Sequence, residues 1–210
     1  MFKYIVIILF LAINAEAKTI DEHIYFVPAG EVDQKVVEAI KKKLPDFLPM
    51  AVRIEISPRE KIPQSAYDPS RRQYNAEMIL DDISQRVGLD TRNETALVIV
   101  DVDLYLPELD FVFGVAEAPK LMAIVSTARL RNEFYGLKPN DSLFLERAVK
   151  ELVHELGHAW GLSHCPNPKC VMYFSNTLPD TDRKRSIFCR DCEKKLLGRY
   201  AKALFKNTFF

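Results

Sequence analysis

His154-Glu155-Leu156-Gly157-His158-Ala159-Trp160-Gly161-Leu162-Ser163-His164-Cys165 concentrates the chemistry of a 210-residue chain in its last third. Two imidazoles one helical turn apart can grip one zinc ion, and the glutamate between them can reach a water at that metal. Gly161 lets the chain leave the helix through a conformation costly for other residues, and His164 can then turn back to complete the ligand set. Three histidine ligands leave a fourth position for water, the arrangement of a catalytic rather than a structural site. Histidines of an ordinary core or surface helix are the alternative, but that reading leaves the joint spacing of His154, Glu155, His158, Gly161 and His164 unexplained.

Around the motif the pattern predicts a helix over about 142 to 160. Leu145, Val149, Leu152, Val153 and Leu156 share one stripe, with Asp141 or Ser142 as the N-cap. At about 100° per residue, His154 lies roughly 160° from Leu152 and Leu156, so the histidines project from the opposite side, where they can line a cleft.

Cys165-x4-Cys170 and Cys189-x2-Cys192 are two close pairs, the arrangement from which tetrathiolate zinc sites are built. Two disulfides, by any of three connectivities, are the alternative in an oxidising compartment. The short spacing within each pair favours zinc, as does a core large enough to need no staples. A tetrathiolate site is closed and therefore structural, and would tie the segment bearing His164 to a C-terminal helix around Asp191 to Leu204.

Met1 to Ala17 has a short basic start at Lys3, an apolar run from Tyr4 to Ile13 and the triplet Ala15-Glu16-Ala17. This predicts a secretory signal peptide, since a spanning helix wants about 20 apolar residues and the run stops at Asn14. The mature domain would run from Lys18 to Phe210, exported to a periplasm or secreted, with no membrane partner after cleavage. The composition, 48% hydrophobic and 28% charged, is that of an ordinary globular chain. Lys+Arg and Asp+Glu are 29 each, without the basic excess of a nucleic-acid binder. A monomer acting on peptide or protein is the expectation.

Upstream, the periodicities predict a strand at Ile24 to Pro28, a helix from Val32 to Ile40, a strand at Ala51 to Ile56 and a helix over about 72 to 87. Three more apolar runs follow, Leu97 to Asp101, Asp110 to Val115 and Leu121 to Ser126, for five strands before the motif. Asp101 and Asp103 read as solvated or loop-ordering acids. Asn93-Glu94-Thr95 is a formal glycosylation sequon. Lys41 to Lys43 and Arg183 to Arg185 read as exposed basic runs, and His23 as structural.

The stretch from His154 to Cys192 resembles the archaemetzincin signature, HExxHxxGxxHC, four residues, C-x-M and a final CxxC. His154, Glu155, His158, Gly161, His164, Cys165, Cys170 and Met172 match it, while 16 residues separate Met172 from Cys189, one fewer than in the family pattern. Arg72-Gln73-Tyr74, Asp101 to Tyr105 and Phe113-Gly114 are also similar to this family. The leader is a departure, because most relatives are associated with the cytosol. The resemblance implies an α+β, metzincin-like fold: a mixed five-stranded sheet, an active-site helix at the base of a cleft, and a C-terminal helical segment held by zinc. It makes Met172 the methionine turn beneath the metal, and the strand at about 110 to 116 the antiparallel edge along which extended peptide binds.

These readings together predict an exported zinc metallopeptidase holding two zinc ions. His154, His158 and His164 hold the catalytic ion, Cys165, Cys170, Cys189 and Cys192 the structural one, and Glu155 is the general base. Cleavage at N-termini, as in an aminopeptidase, and internal cleavage both remain open. A catalytically inactive zinc-containing module that binds peptide is the rival, and the presence of Glu155 weighs against it. A disulfide-stapled adhesion or inhibitor domain would leave the histidine motif without a purpose.

Overall fold

A computed structural model describes residues 21–88 and 94–207. The leader and Asn93 of the sequon lie outside the described residues. The elements in chain order are β1 (Asp21–Pro28), α1 (Gln34–Lys43), β2 (Ala51–Ile56), β3 (Tyr67–Asp68), β4 (Gln73–Asn75), α2 (Ala76–Ser84) and β5 (Glu94–Val100). They continue with β6 (Leu104–Leu106), β7 (Leu109–Val112), β8 (Gly114–Glu117), β9 (Met122–Ser126), α3 (Asp141–Ala159), α4 (Leu178–Arg183) and α5 (Arg190–Asn207).

The expected mixed five-stranded sheet is present, in the order β2-β1-β5-β9-β8, with β8 as the antiparallel edge and the other pairings parallel. β5 reads as an unbroken apolar run because both its faces are covered. Leu97 and Ile99 enter the core shared with α1 and α3, while Ala96, Val98 and Val100 enter the core beneath α2.

Several expectations need correction. Five strands are expected before the motif, but nine are formed among the described residues, four of them in a second sheet of order β3-β4-β6-β7 that the periodicities do not predict. Its strands are two to four residues long, too short to establish a period of two. The helix expected from 72 begins at Ala76: Tyr74 donates its N–H to Asp103 O at 2.8 Å, and Asn75 caps α2 by accepting from Met78 N at 3.1 Å. The run at 110 to 116 is split at Phe113 into β7, which belongs to the small sheet, and β8, which belongs to the large one. α3 starts at Asp141, and its N-cap is Asn140, whose Oδ1 accepts from Leu143 N at 3.0 Å, rather than Asp141 or Ser142.

The face of α3 opposite the core stripe is also largely covered by protein. Arg147 is buried and makes a bidentate pair with Asp182, at 2.6 and 2.7 Å, while Lys150 reaches Asp182 O at 3.2 Å. α4 and the residues after it therefore roof the N-terminal part of this face, and the cleft opens toward its C-terminal end, where His158 is half-buried. Among the described residues, no helix is long and apolar enough to cross a membrane.

Candidate active site

A cleft of about 530 Å³ lies over α3, with Leu109 to Ala116 on one wall and Phe174 to Asn176 among its other boundaries. His154, Glu155, His158 and His164 all line it. The three histidines each bring a ring nitrogen to within 4.8 Å of the others. His154 Nε2 and His158 Nε2 are 3.1 Å apart. Tetrahedral zinc with bonds of about 2.0–2.1 Å needs nitrogens about 3.3 Å apart, so the donor set fits that ion.

The second nitrogens agree. His154 Nδ1 lies 2.7 Å from Val171 O and His158 Nδ1 lies 2.7 Å from Leu162 O, so each Nδ1–H donates to a carbonyl and leaves Nε2 with a free lone pair. Burial lowers the pKa of all three imidazoles, most strongly at His154, where the nearby Lys184 ammonium adds to the effect. Neutral imidazole is the form that ligates metal.

Glu155 lies against β8. A Cβ at Gly114 would sit 2.6 Å from Glu155 Cγ and 2.7 Å from Ile124 O, so glycine is what lets the glutamate pass between helix and edge strand. Burial, with repulsion from the Glu151 carboxylate as a second contribution, raises the Glu155 pKa to about 8 in the metal-free site. A dication beside it would draw that value down.

Gly157 performs a similar service elsewhere on α3. Its missing Cβ would meet Met172 Sδ at 2.4 Å and Phe188 Cε1 at 2.9 Å, and Met172 is fully buried there. Met172 thus packs against the active-site helix at Gly157, between His154 and His158 in the sequence. Gly198 in α5, by contrast, has open space where a Cβ would go. Gly198→Ala should therefore stabilise the protein by about 1 kcal/mol through helix propensity. Gly157→Ala should destabilise it by roughly 1–3 kcal/mol despite the same propensity gain, because the core is overpacked. Thermal unfolding of the two variants checks the contrast, and a stabilised Gly157→Ala would refute the packing account.

The four cysteines converge as a second group, with sulfurs within 4.8 Å of one another and none in a disulfide. Cys165 Sγ and Cys189 Sγ are 3.8 Å apart, the sulfur separation of a tetrahedral site with metal–sulfur bonds of about 2.3 Å. Burial opposes ionisation of Cys189, but hydrogen bonds from the Cys192 backbone and the Cys170 thiol bring its pKa down to about 7. The two groups share backbone: Cys165 N donates to Met172 O at 2.8 Å, and Cys189 N donates to Cys170 Sγ at 3.2 Å.

Sequence reasoning missed two residues and misplaced one. Lys184, in the middle of the supposedly exposed basic run, is fully buried and pairs with buried Glu151 at 3.1 Å, its Nζ lying 3.5 Å from His154 Nδ1. Thr181 also donates to Glu151, at 2.9 Å. Glu151 falls three and four residues before His154 and Glu155, a spacing that could have marked it as sharing their face. No local pattern marks Lys184. Asp101 and Asp103 order loops as expected: Asp103 accepts from Arg129 at 2.7 Å and Gln73 at 3.2 Å, and Asp101 accepts from Thr127 at 2.6 Å. Gln73 also donates to Asp110 O at 2.8 Å, and Arg71 to Leu109 O at 2.8 Å, so this network holds β7 at the rim of the cleft.

The fold and its histidine centre define a zinc metallopeptidase of metzincin-like architecture. Residues 4–198 match the model of peptidase family M54. Curated relatives include the archaemetzincins of Methanocaldococcus jannaschii, 43% identical over 172 residues, and of Thermococcus kodakarensis, 42% identical over 177. These alignments cover 82% and 83% of this chain and 91% and 95% of the relatives. Among solved structures, a zinc-dependent peptidase from Methanocorpusculum labreanum superposes with a TM-score of 0.74 at 35% identity, covering 82% of this chain and 99% of that one. The archaemetzincin of Methanopyrus kandleri gives 0.72 at 38% identity, covering 86% and 96%. The chain belongs to peptidase family M54, the archaemetzincins.

Proposed function

We propose that the chain is an exported, monomeric archaemetzincin whose first 17 residues are a leader and whose residues 18–210 form the peptidase domain. His154, His158 and His164 hold its catalytic zinc, and Cys165, Cys170, Cys189 and Cys192 hold a second, structural zinc. The observation that carries the catalytic assignment is the convergence of three imidazole nitrogens on a cleft floor, with Glu155 buried beside them. Zinc supplies Lewis acidity there, activating a water and polarising the scissile carbonyl.

Glu155 takes the proton from the attacking water as the C–O bond forms, and delivers it to the amide nitrogen as the C–N bond breaks. This role is supported by its packing against Gly114 of β8 in the cleft that the three histidines also line. β8 pairs with β9 along one edge only, so its other edge can align an extended peptide through main-chain hydrogen bonds, which is tolerant of sequence. The substrate is peptide or protein, and neither nucleic acid nor membrane takes part once the leader is removed.

Metal analysis of exported protein tests the two-zinc reading. Two zinc ions per chain are expected, with thiols unreactive until a chelator or denaturant is added. One zinc with a mass deficit of about 4 Da would mean two disulfides instead. N-terminal sequencing of the same material should begin at Lys18, and an intact Met1 on protein confined to the cytosol would overturn the export assignment.

A further inference from the structure

We propose that Arg199, on α5, is a positioning residue for His164, acting through the turn that joins α3 to this third ligand. The inference rests on the assignment of the three histidines as zinc ligands.

His164 differs from its partners in how it is held. His154 and His158 are oriented by Val171 O and Leu162 O. His164 is exposed, and among the described residues its ring makes no hydrogen bond, only ring contacts such as that with Phe174, at 4.8 Å between centroids. Its place is therefore set mainly by its backbone, which leaves α3 only a few residues earlier.

That exit is a Schellman turn. Leu162 N donates to Gly157 O at 2.8 Å and Gly161 N to His158 O at 2.7 Å, with Gly161 at φ +81°. Trp160 N donates to Leu156 O at 2.9 Å. These bonds serve the carbonyls of Leu156, Gly157 and His158, and the carbonyl of Trp160, the residue just past the helix, accepts from Arg199 Nη1 at 2.8 Å. The guanidinium fills the place where other residues carry a side chain: a Cβ on Gly161 would lie 1.6 Å from Arg199 Nη1 and 2.7 Å from Cζ. Gly161 is thus required for its dihedral angle, and its missing side chain leaves the space that the guanidinium occupies.

The next residue reinforces the grip. Tyr200 sets its ring near that of Trp160, 6.4 Å between centroids, and lies beside the buried Glu22 carboxylate, which accepts from Thr95 at 2.7 Å. Thr95 in turn accepts from the Trp160 indole N–H at 3.0 Å. α5 therefore holds the His164 loop on both sides, with Arg199 and Tyr200 at Trp160-Gly161 before it and Cys192 in the thiol cluster with Cys165 after it.

The test compares mature holoenzyme carrying Arg199→Ala, Arg199→Met, Arg199→Lys or His164→Ala. Catalytic-site zinc affinity is read by chelator competition with the thiolate site loaded, together with the d–d spectrum after cobalt substitution, kcat, KM and Tm. His164→Ala should lose affinity most. Arg199→Ala and Arg199→Met should weaken zinc about 10-fold, in the range for lost supporting groups, change the cobalt spectrum and lower kcat more than they raise KM. Arg199→Lys, which keeps a donor for Trp160 O, should recover part of the affinity. Arg199→Met retains the apolar stem and decides the matter should Arg199→Ala fail to fold. Unchanged zinc affinity and cobalt spectrum in Arg199→Met, with affinity lost in His164→Ala, would overturn the inference even if Tm fell. Unchanged affinity in His164→Ala would instead overturn the ligand assignment, and this inference with it.

Discussion

Glu155→Gln should retain the catalytic zinc and lose peptidase activity by at least about 10²-fold, the scale on which a general base contributes. The amide keeps the shape that fits against Gly114, and Glu155 is not one of the three groups that converge as donors, so metal content should not change. What disappears is the acceptor for the water's proton. A variant within a few-fold of wild type would refute the role.

The same substitution has a second expected consequence in metal-free protein. With its pKa raised from 4.5 to about 8, Glu155 binds more proton in the folded than in the unfolded chain between those values. Its contribution to stability is fully present below about pH 4.5 and is lost as the pH rises through about 8. Gln carries no such titration, so metal-free Glu155→Gln should melt higher than metal-free wild type at pH 8, with the gap closing toward pH 5. Melting curves across that range in the presence of a chelator check the sign.

Cys192→Ser should have the other large effect, and on a site its side chain never reaches. Cys192 is buried in the thiol group with Cys165, which follows His164 directly and whose N–H is bonded to Met172 O. Removing one thiolate opens the cluster, frees the loop between Cys165 and Cys170, and loosens both the approach of His164 and the floor beneath the metal. Catalytic zinc affinity should fall roughly 10 to 100-fold, the range for lost supporting groups. Tm should fall as well, because binding free energy at such a site is folding free energy. Two zinc ions bound with unchanged affinity and an unchanged melt would show that the cysteine group does not organise the active site.

The ligand-bearing residues were legible in the sequence because their geometry is local. His154 and His158 are one helical turn apart, Gly161 ends the helix, and His164 lies three residues beyond it, so helical spacing and one turn motif bring the imidazoles together. The two cysteine pairs are legible for the same reason, although their convergence depends on α5 packing beside the turn. The central strands β5 and β9 announce themselves as apolar runs because a covered parallel sheet needs no polar face.

The rest is long-range and leaves no periodic trace. The small sheet is made of strands too short to repeat a pattern, and it is held by Arg71, Gln73, Asp103 and Arg129, side chains that look like surface residues until they meet. Lys184 sits between two arginines and reads as solvated, yet packing places it fully buried against Glu151 and behind His154. Gly114, Gly157 and Arg199 owe their meaning to Glu155, Met172 and Gly161, which lie 41, 15 and 38 residues away along the chain. Which donors the metal site has can be read from local spacing, because those donors are neighbours along one helix and its exit. Tertiary structure alone decided what holds them in place, because close approach between distant segments is a property of packing that no local spacing encodes.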